Sequence, residues 1–151
     1  MSEVIFLDTG PLIYAVHPKA KIPDTTESNF MQWLLACLEK GKKICIPEIC
    51  DYELRRGLVK KGAAKQIKQL DDLKDTLEYI PINTPAMIKA SELWGEARKK
   101  GKQTARDASL DADMILCGQA LIYNSQLIIA TTNVMHLSLF TDARLWDSIL
   151  P

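Results

Sequence analysis

The sequence lacks long hydrophobic runs. None of its apolar stretches approaches the roughly 20 residues that a membrane-spanning helix needs, and no basic segment followed by an apolar one indicates a signal peptide near the N-terminus. We therefore expect a cytoplasmic protein that does not associate with a membrane. Its 151 residues, 47% hydrophobic and 25% charged, have the composition of a single globular domain.

Cysteine and histidine are also scarce, and their spacing does not suit zinc. The only two histidines, His17 and His136, lie far apart, and no two cysteines form a C-x-x-C pair. Most of the cysteines have apolar neighbours, which is typical of buried, reduced thiols. The four cysteines are Cys37, Cys45, Cys50 and Cys117.

The chain has no excess of either charge. Its 19 basic and 19 acidic residues give a net charge of zero, which argues against a general polyanion binder. The basic residues nevertheless concentrate in two segments, 55–68 and 98–106. Such clusters are usually solvated faces, but they can also form a track for phosphates.

The strongest local pattern is the segment VIFLDTGPLIY at the start of the chain. Four apolar residues without alternation predict a strand buried on both faces, and Gly10 and Pro11 end it. Asp8 would then stand at the carboxyl end of a central strand, where open α/β sheets bind their ligands. The alternative is that Asp8 only caps the following helix.

Strand patterns alternate with helix patterns along the whole chain. We predict further strands at 43–46, 79–82, 127–130 and 144–146, with 79–82 at an edge because Pro81 cannot donate to a ladder. Helices are expected to begin near residues 12, 26, 47, 63, 85 and 109, the fifth capped by Thr84. This alternation predicts an α/β fold with a mostly parallel sheet between two helical layers.

Acidic and amide side chains recur at the carboxyl ends of these strands or in the helices that follow them. Because those ends meet at one edge of a parallel sheet, we expect the side chains to share a site. Carboxylates that repel one another are tolerated beside a divalent cation, and an oxygen-only set favours Mg²⁺ or Mn²⁺. The candidates are Asp8, Glu53, Asp111, Asp113 and Asn133.

The spacing within this set leaves alternatives open. Residues i and i+2 lie about 200° apart on a helix, so Asp111 and Asp113 cannot both face the site from within one. Asp113 is in register with the apolar face, and Asp111 can join only from a cap position, where capping itself is its alternative role. Glu53 could instead pair with Arg56, and Asn133 could be a turn residue.

Four segments of the sequence together resemble the motifs of PIN domains, most closely the VapC-type toxins of bacterial toxin–antitoxin pairs. The resemblance covers essentially the whole chain, so residues 1–151 are expected to form one PIN domain. It implies a three-layer α/β/α sandwich and a metal-dependent endoribonuclease. The segments are LDTGPLIY, PEICDYELRRG, DADMILCGQAL and ATTNVMHL.

The resemblance also implies roles for individual residues. Asp8, Glu53 and Asp113 correspond to the family's acids, with Asp111 as an extra neighbouring acid. Thr131 and Asn133 belong to the motif after the fourth strand. His136 stands where a further acid is frequent, which favours one Mg²⁺ or Mn²⁺ ion over two.

We therefore predict an endoribonuclease with Asp8, Asp113 and Glu53 as metal ligands. Asp111 and Asn133 are further candidate catalytic residues, and Thr9, Thr131, Arg55 and Arg56 are candidates for binding RNA. The expected partners are a cognate antitoxin, which would place a cationic side chain near the acids, and a second copy of the chain. The alternative is a catalytically silent PIN-like module that binds RNA or protein. A phosphoaspartate phosphotransferase is disfavoured because LDTG lacks a D-x-D pair.

Overall fold

The computed structural model describes residues 3–99, 107–124 and 126–151. Its central sheet has the strand order β3-β2-β1-β4-β5, and every neighbouring pair of strands is parallel. The prediction of a parallel sheet with the first strand at its centre is therefore confirmed. The strands are β1 Val4–Leu7, β2 Lys43–Pro47, β3 Glu78–Ile80, β4 Ile128–Thr131 and β5 Asp142–Leu145.

The helices fall into two groups. The first four lie between β1, β2 and β3, which progress in one direction across the sheet, whereas the last two return the chain from β3 to β4. Right-handed crossovers place these groups on opposite faces, which gives the expected three-layer sandwich. The helices are α1 Thr9–Val16, α2 Thr26–Glu39, α3 Glu48–Lys61, α4 Ala64–Thr76, α5 Thr84–Lys99 and α6 Asp107–Tyr123. Short 3-10 turns cover Pro18–Lys21, Leu137–Leu139 and Trp146–Ser148.

The core is built around β1, as its unbroken apolar run predicts. Ile5, Phe6 and Leu7 are completely buried because strands flank β1 on both sides and helices cover both faces. Ile5 pairs with Ile44 of β2 and with Ile128 of β4. Asp8 thus directly follows the buried central strand of the sheet.

The close crossing of α5 and α6 fixes the position of α6 against α5. A Cβ atom on Gly118 of α6 would lie 2.4 Å from the backbone oxygen of Ala86 and 3.1 Å from the backbone nitrogen of Ala90. Only glycine permits this approach without a shift of backbone. The helix that carries Asp113 is therefore held in place by its close packing against α5.

Several details differ from the sequence prediction. Helix α1 begins at Thr9, before the predicted residue 12, and β5 spans Asp142–Leu145 instead of 144–146. The side chain of Asn83, not Thr84, caps α5, since its Oδ1 accepts the backbone N–H of Ala86 at 2.8 Å. Helix α6 begins at Asp107, before the predicted Ser109. Strand β3 is an edge strand, as expected, but it ends at Ile80, before Pro81. Residues 100–106, which make up most of the second basic segment, lie outside the described residues.

The four cysteines are buried and unpaired, in agreement with the prediction. No helix in the described ranges combines the length and the apolar character that crossing a bilayer requires.

Candidate active site

Asp8 stands at the carboxyl end of β1 with both carboxylate oxygens engaged. Its Oδ1 accepts the backbone N–H of Thr9 at 2.7 Å, and its Oδ2 accepts the hydroxyl of Thr131 at 2.7 Å. The first bond makes Asp8 the N-cap of α1, so the capping role is real and coexists with the site position. Burial raises the pKa of Asp8, against the effect of these hydrogen bonds.

Glu53 reaches the same edge of the sheet from α3, which begins directly after β2. Its Oε1 accepts the hydroxyl of Thr9 at 2.8 Å, and its Oε2 lies 4.0 Å from Nη2 of Arg56. The predicted pairing with Arg56 is therefore present as a long ion pair. Thr9 joins the first acid to the second, since its backbone donates to Asp8 and its side chain to Glu53.

Asp113 is the third acid, from the first half of α6. Its pKa is raised to about 6, mainly by burial and also by the charges of Asp8 and Glu53, while His136 lowers it. Burial raises the pKa of the Cys50 thiol, and the charges of the same three carboxylates raise it further; its Sγ lies 3.8 Å from Oδ1 of Asp8. These mutual effects require the three acids to lie within electrostatic reach of one another.

The last residue of β4 and the residues that follow it complete this site. Thr131 is fully buried, and its hydroxyl, besides donating to Asp8, accepts the backbone N–H of Asn133 at 3.0 Å. Oδ1 of Asn133 accepts the backbone N–H of Met135 at 3.0 Å. Asn133 thus has the turn role that was its alternative, and its side chain is exposed beside the site.

Two candidates lie away from the acids. Asp111 is an exposed residue inside α6, because the helix starts earlier than expected, and it lines a cavity of about 340 Å³ between α5 and α6 with Trp94 and Met114. Arg55 forms ion pairs with Asp51 at 2.9 Å and Asp71 at 2.7 Å. Its guanidinium therefore links α3 to α4 through these ion pairs.

Arg56, by contrast, is well placed for an anionic ligand. Its side chain is 59% exposed, next to Glu53, and its guanidinium lies 5.3 Å from the ring centre of Tyr52. Of the two adjacent arginines, only this one retains a solvent-accessible charge beside the acids.

Sequence reasoning missed three contributions to the site. His136 contacts Asp113, with 3.0 Å between Nδ1 and Oδ2, whereas the sequence marked it only as a departure from a family pattern. Its place just after β4, at the same sheet edge, is the signal that predicts the contact. Cys50 packs against Asp8, and Gly10 permits the approach of Thr132, whose Oγ1 would lie 2.4 Å from a Cβ at that position.

The donor set suits a hard divalent cation. Asp8, Glu53 and Asp113 supply carboxylate oxygens only. Burial raises the pKa of Asp113 and the charges of Asp8 and Glu53 add to the rise, and a bound cation would offset both effects. Within the described ranges, no three His, Cys, Asp or Glu side chains form a ready-made metal cluster. The acids are held by protein donors, and each oxygen that accepts one hydrogen bond keeps a further lone pair.

A protein-family model and solved structures match this chain. The family model described as PIN domain covers residues 5–134. A VapBC2 structure from Rickettsia felis, bound to a DNA fragment from its promoter, is 25% identical, with 95% of this chain and 99% of that chain covered and a TM-score of 0.71. FitAcB from Neisseria gonorrhoeae is 17% identical, with 96% and 99% covered and a TM-score of 0.69. DNA-bound VapBC from Salmonella typhimurium is 20% identical, with 97% and 99% covered and a TM-score of 0.64. No curated protein matches the sequence.

Proposed function

Because this chain belongs to the PIN domain family, whose members are nucleases, we propose that it is an endoribonuclease that uses Mg²⁺ or Mn²⁺ to hydrolyse phosphodiester bonds in RNA. The observation that carries the proposal is the approach of Asp8, Glu53 and Asp113 from three separate elements at one sheet edge. Burial raises the pKa of Asp113, and the charges of Asp8 and Glu53 add to the rise, a perturbation that is typical of acids at functional sites.

Each acid has a proposed role. Asp8 and Asp113 would hold the cation, directly or through water, and Glu53 would complete the site or hold the attacking water. When bound, a divalent cation supplies charge neutralisation and Lewis-acid activation for phosphodiester hydrolysis. Thr9 and Thr131 keep the carboxylates oriented through their hydrogen bonds to Glu53 and Asp8.

RNA would be held by groups at the rim. Arg56 offers an exposed guanidinium beside Glu53, and Asn133 offers its side-chain amide nitrogen, since its Oδ1 is taken by the turn. Arg55 is not among the proposed RNA contacts, because it forms ion pairs with Asp51 and Asp71 of the same chain. A phosphate contact through Arg56 predicts binding that weakens with salt.

The test is cleavage of single-stranded RNA by the purified protein with Mg²⁺ or Mn²⁺ and with a chelator. Asp8→Asn removes one carboxylate charge and keeps the side-chain shape. We expect metal-dependent cleavage by the natural chain and none by Asp8→Asn. Binding of RNA without cleavage by the natural chain would support the silent module instead, and cleavage by folded Asp8→Asn would contradict the mechanism.

The fold of Asp8→Asn should persist for a local reason. The hydroxyl of Thr131 also lies 3.1 Å from the backbone oxygen of Asn133, so it can donate there and accept the new amide N–H. The variant therefore satisfies its hydrogen bonds without rebuilding the site. Circular dichroism and a melting temperature measured without metal serve as the control.

We also propose that the chain is the toxin of a toxin–antitoxin pair and forms a homodimer. The support is its similarity along nearly its whole length to VapBC structures. The antitoxin would set an Arg or Lys against the three acids in competition with the cation. Co-expression with the neighbouring open reading frame should yield a complex that cleaves RNA more slowly than the free chain. A complex of equal activity would contradict blockade of the site, and sedimentation as a monomer at high concentration would contradict the dimer.

A further inference from the structure

The side chain of His136 makes one polar contact in the described part of the chain, and that contact is with a proposed metal ligand. Its Nδ1 lies 3.0 Å from Oδ2 of Asp113, and the two side chains are 17% and 29% exposed. The other ring nitrogen, Nε2, is buried and has no hydrogen-bond partner among the described residues. The ring therefore interacts through Nδ1.

The chemistry of the pair fixes the direction of the hydrogen bond. An ionised carboxylate only accepts, so Nδ1 carries the proton and donates it to Oδ2. This leaves Oδ1 of Asp113 without a donor from the ring. The imidazole thus binds Oδ2 of Asp113 through a hydrogen bond and leaves Oδ1 available for another ligand.

The backbone that carries His136 is well anchored. The next residue, Leu137, is 1% exposed, and its backbone oxygen accepts the N–H of Thr141 at 3.0 Å. The backbone oxygen of His136 accepts the N–H of Leu139 at 3.3 Å, in the short 3-10 turn. A hydrogen-bond donor on a side chain whose backbone is held in this way can restrict the rotation of a neighbouring carboxylate.

We infer that His136 is a positioning residue that holds Oδ2 of Asp113 through Nδ1 and thereby presents Oδ1 to the divalent cation. The inference rests on the proposed metal-dependent function. The other two acids have comparable donors in Thr9 and Thr131, so each proposed ligand has a protein group that fixes its orientation. Partners that hydrogen-bond to ligands in this way typically contribute about 10-fold to 100-fold to metal affinity.

The experiment compares Mn²⁺ affinity without RNA, by isothermal titration calorimetry, in three variants of the full chain. His136→Asn keeps an N–H donor close to the position of Nδ1, His136→Gln places one nearer to Nε2, and His136→Ala has none. We expect Ala and Gln to weaken binding about 10-fold or more, and Asn to retain most of it. Ser138→Ala, in the same turn, is the matched control that should leave Mn²⁺ affinity unchanged.

The outcomes separate the two proposals. A natural chain that does not bind Mn²⁺ or Mg²⁺ would contradict the metal-dependent function and with it this inference. A natural chain that binds Mn²⁺, with Ala or Gln binding as tightly, would contradict the role of His136 alone. Equal losses in Asn and Ala, at unchanged melting temperature, would also contradict it, because the Nδ1 position would then not matter. If His136→Ala fails to fold, the difference in Mn²⁺ affinity between His136→Asn and His136→Gln still tests the role of the Nδ1 position.

Discussion

Thr131 donates its hydroxyl proton to Oδ2 of Asp8 over 2.7 Å, across a separation of 123 residues in the chain. The two residues belong to the adjacent parallel ends of β1 and β4, where the backbone N–H of Asp8 also donates to the oxygen of Ala130 at 2.9 Å. A backbone bond and a side-chain bond thus fix the same carboxylate. The position of Asp8 follows from strand register and not from loop conformation.

Thr131→Val tests this bond. The substitution keeps the shape but removes a buried hydroxyl that donates to Asp8 and accepts from Asn133. We expect the free energy of unfolding in urea to fall by about 1–3 kcal/mol because both partners lose a buried hydrogen bond. RNA cleavage should fall as well. Thr131→Ser, which keeps the hydroxyl, is the control, and a Val variant as stable and active as the natural chain would contradict the role.

Asp113→Asn should remove a dependence of stability on pH. Burial and the charges of Asp8 and Glu53 raise the pKa of Asp113 to about 6, despite the facing His136. A raised carboxyl pKa favours the protonated folded state, so this group's contribution to stability is complete below pH 3.8 and is lost as pH rises through about 6.

The measurement is urea unfolding of metal-free protein at about pH 5 and about pH 8. We expect Asp113→Asn to be more stable than the natural chain at the higher pH by on the order of 1 kcal/mol, with a smaller difference at the lower pH. The bond from His136 should survive, because Nδ1 can donate to the amide oxygen of Asn. Equal stability at the higher pH would mean that burial and the neighbouring charges do not destabilise the Asp113 carboxylate.

Asp111→Asn should leave RNA cleavage close to that of the natural chain. Asp111 is an exposed helical residue in the cavity between α5 and α6, whereas Asp113 faces Asp8 and Glu53. The two variants carry the same chemical change two residues apart, so each controls for the other. Loss of cleavage in both, with normal melting, would place Asp111 in the reacting site.

The contrast between these two acids illustrates how far sequence reasoning extends. Apolar runs and the order of strands and helices predict the parallel sheet and put Asp8, Glu53 and Asp113 at one edge, because strand ends meet there whatever the loops do. The local sequence does not distinguish a start of α6 at Asp107 from one at Ser109. That start decides whether Asp111 can be a cap. Likewise, the contact of His136 with Asp113 depends on a turn that periodicity does not describe.

Arg56→Gln should weaken RNA binding, whereas Arg55→Gln should weaken the fold. Arg56 is mostly exposed beside Glu53, but Arg55 binds the buried Asp51 and also Asp71. The fluorescence anisotropy of a labelled RNA, measured at several salt concentrations in an Asp8→Asn background, reports binding without cleavage. We expect Arg56→Gln to raise Kd and to reduce the slope of log Kd against log salt by about 0.7, the value for one lost phosphate contact on a single strand.

Arg55→Gln should leave that slope unchanged and reduce the free energy of unfolding by about 1 kcal/mol, because Asp51 loses one cation. The loss is limited because Asp51 keeps Lys74 at 3.0 Å and the hydroxyl of Tyr79 at 3.0 Å. Hydrogen bonds from Arg55, Lys74 and Tyr79 lower the pKa of Asp51 despite burial, so the stabilisation it provides is present above pH 3.8 and is lost as pH falls through the lowered pKa. The difference between Arg55→Gln and the natural chain should therefore shrink in acid. A reduced salt slope in Arg55→Gln, with unchanged stability, would reverse the roles assigned to the two arginines.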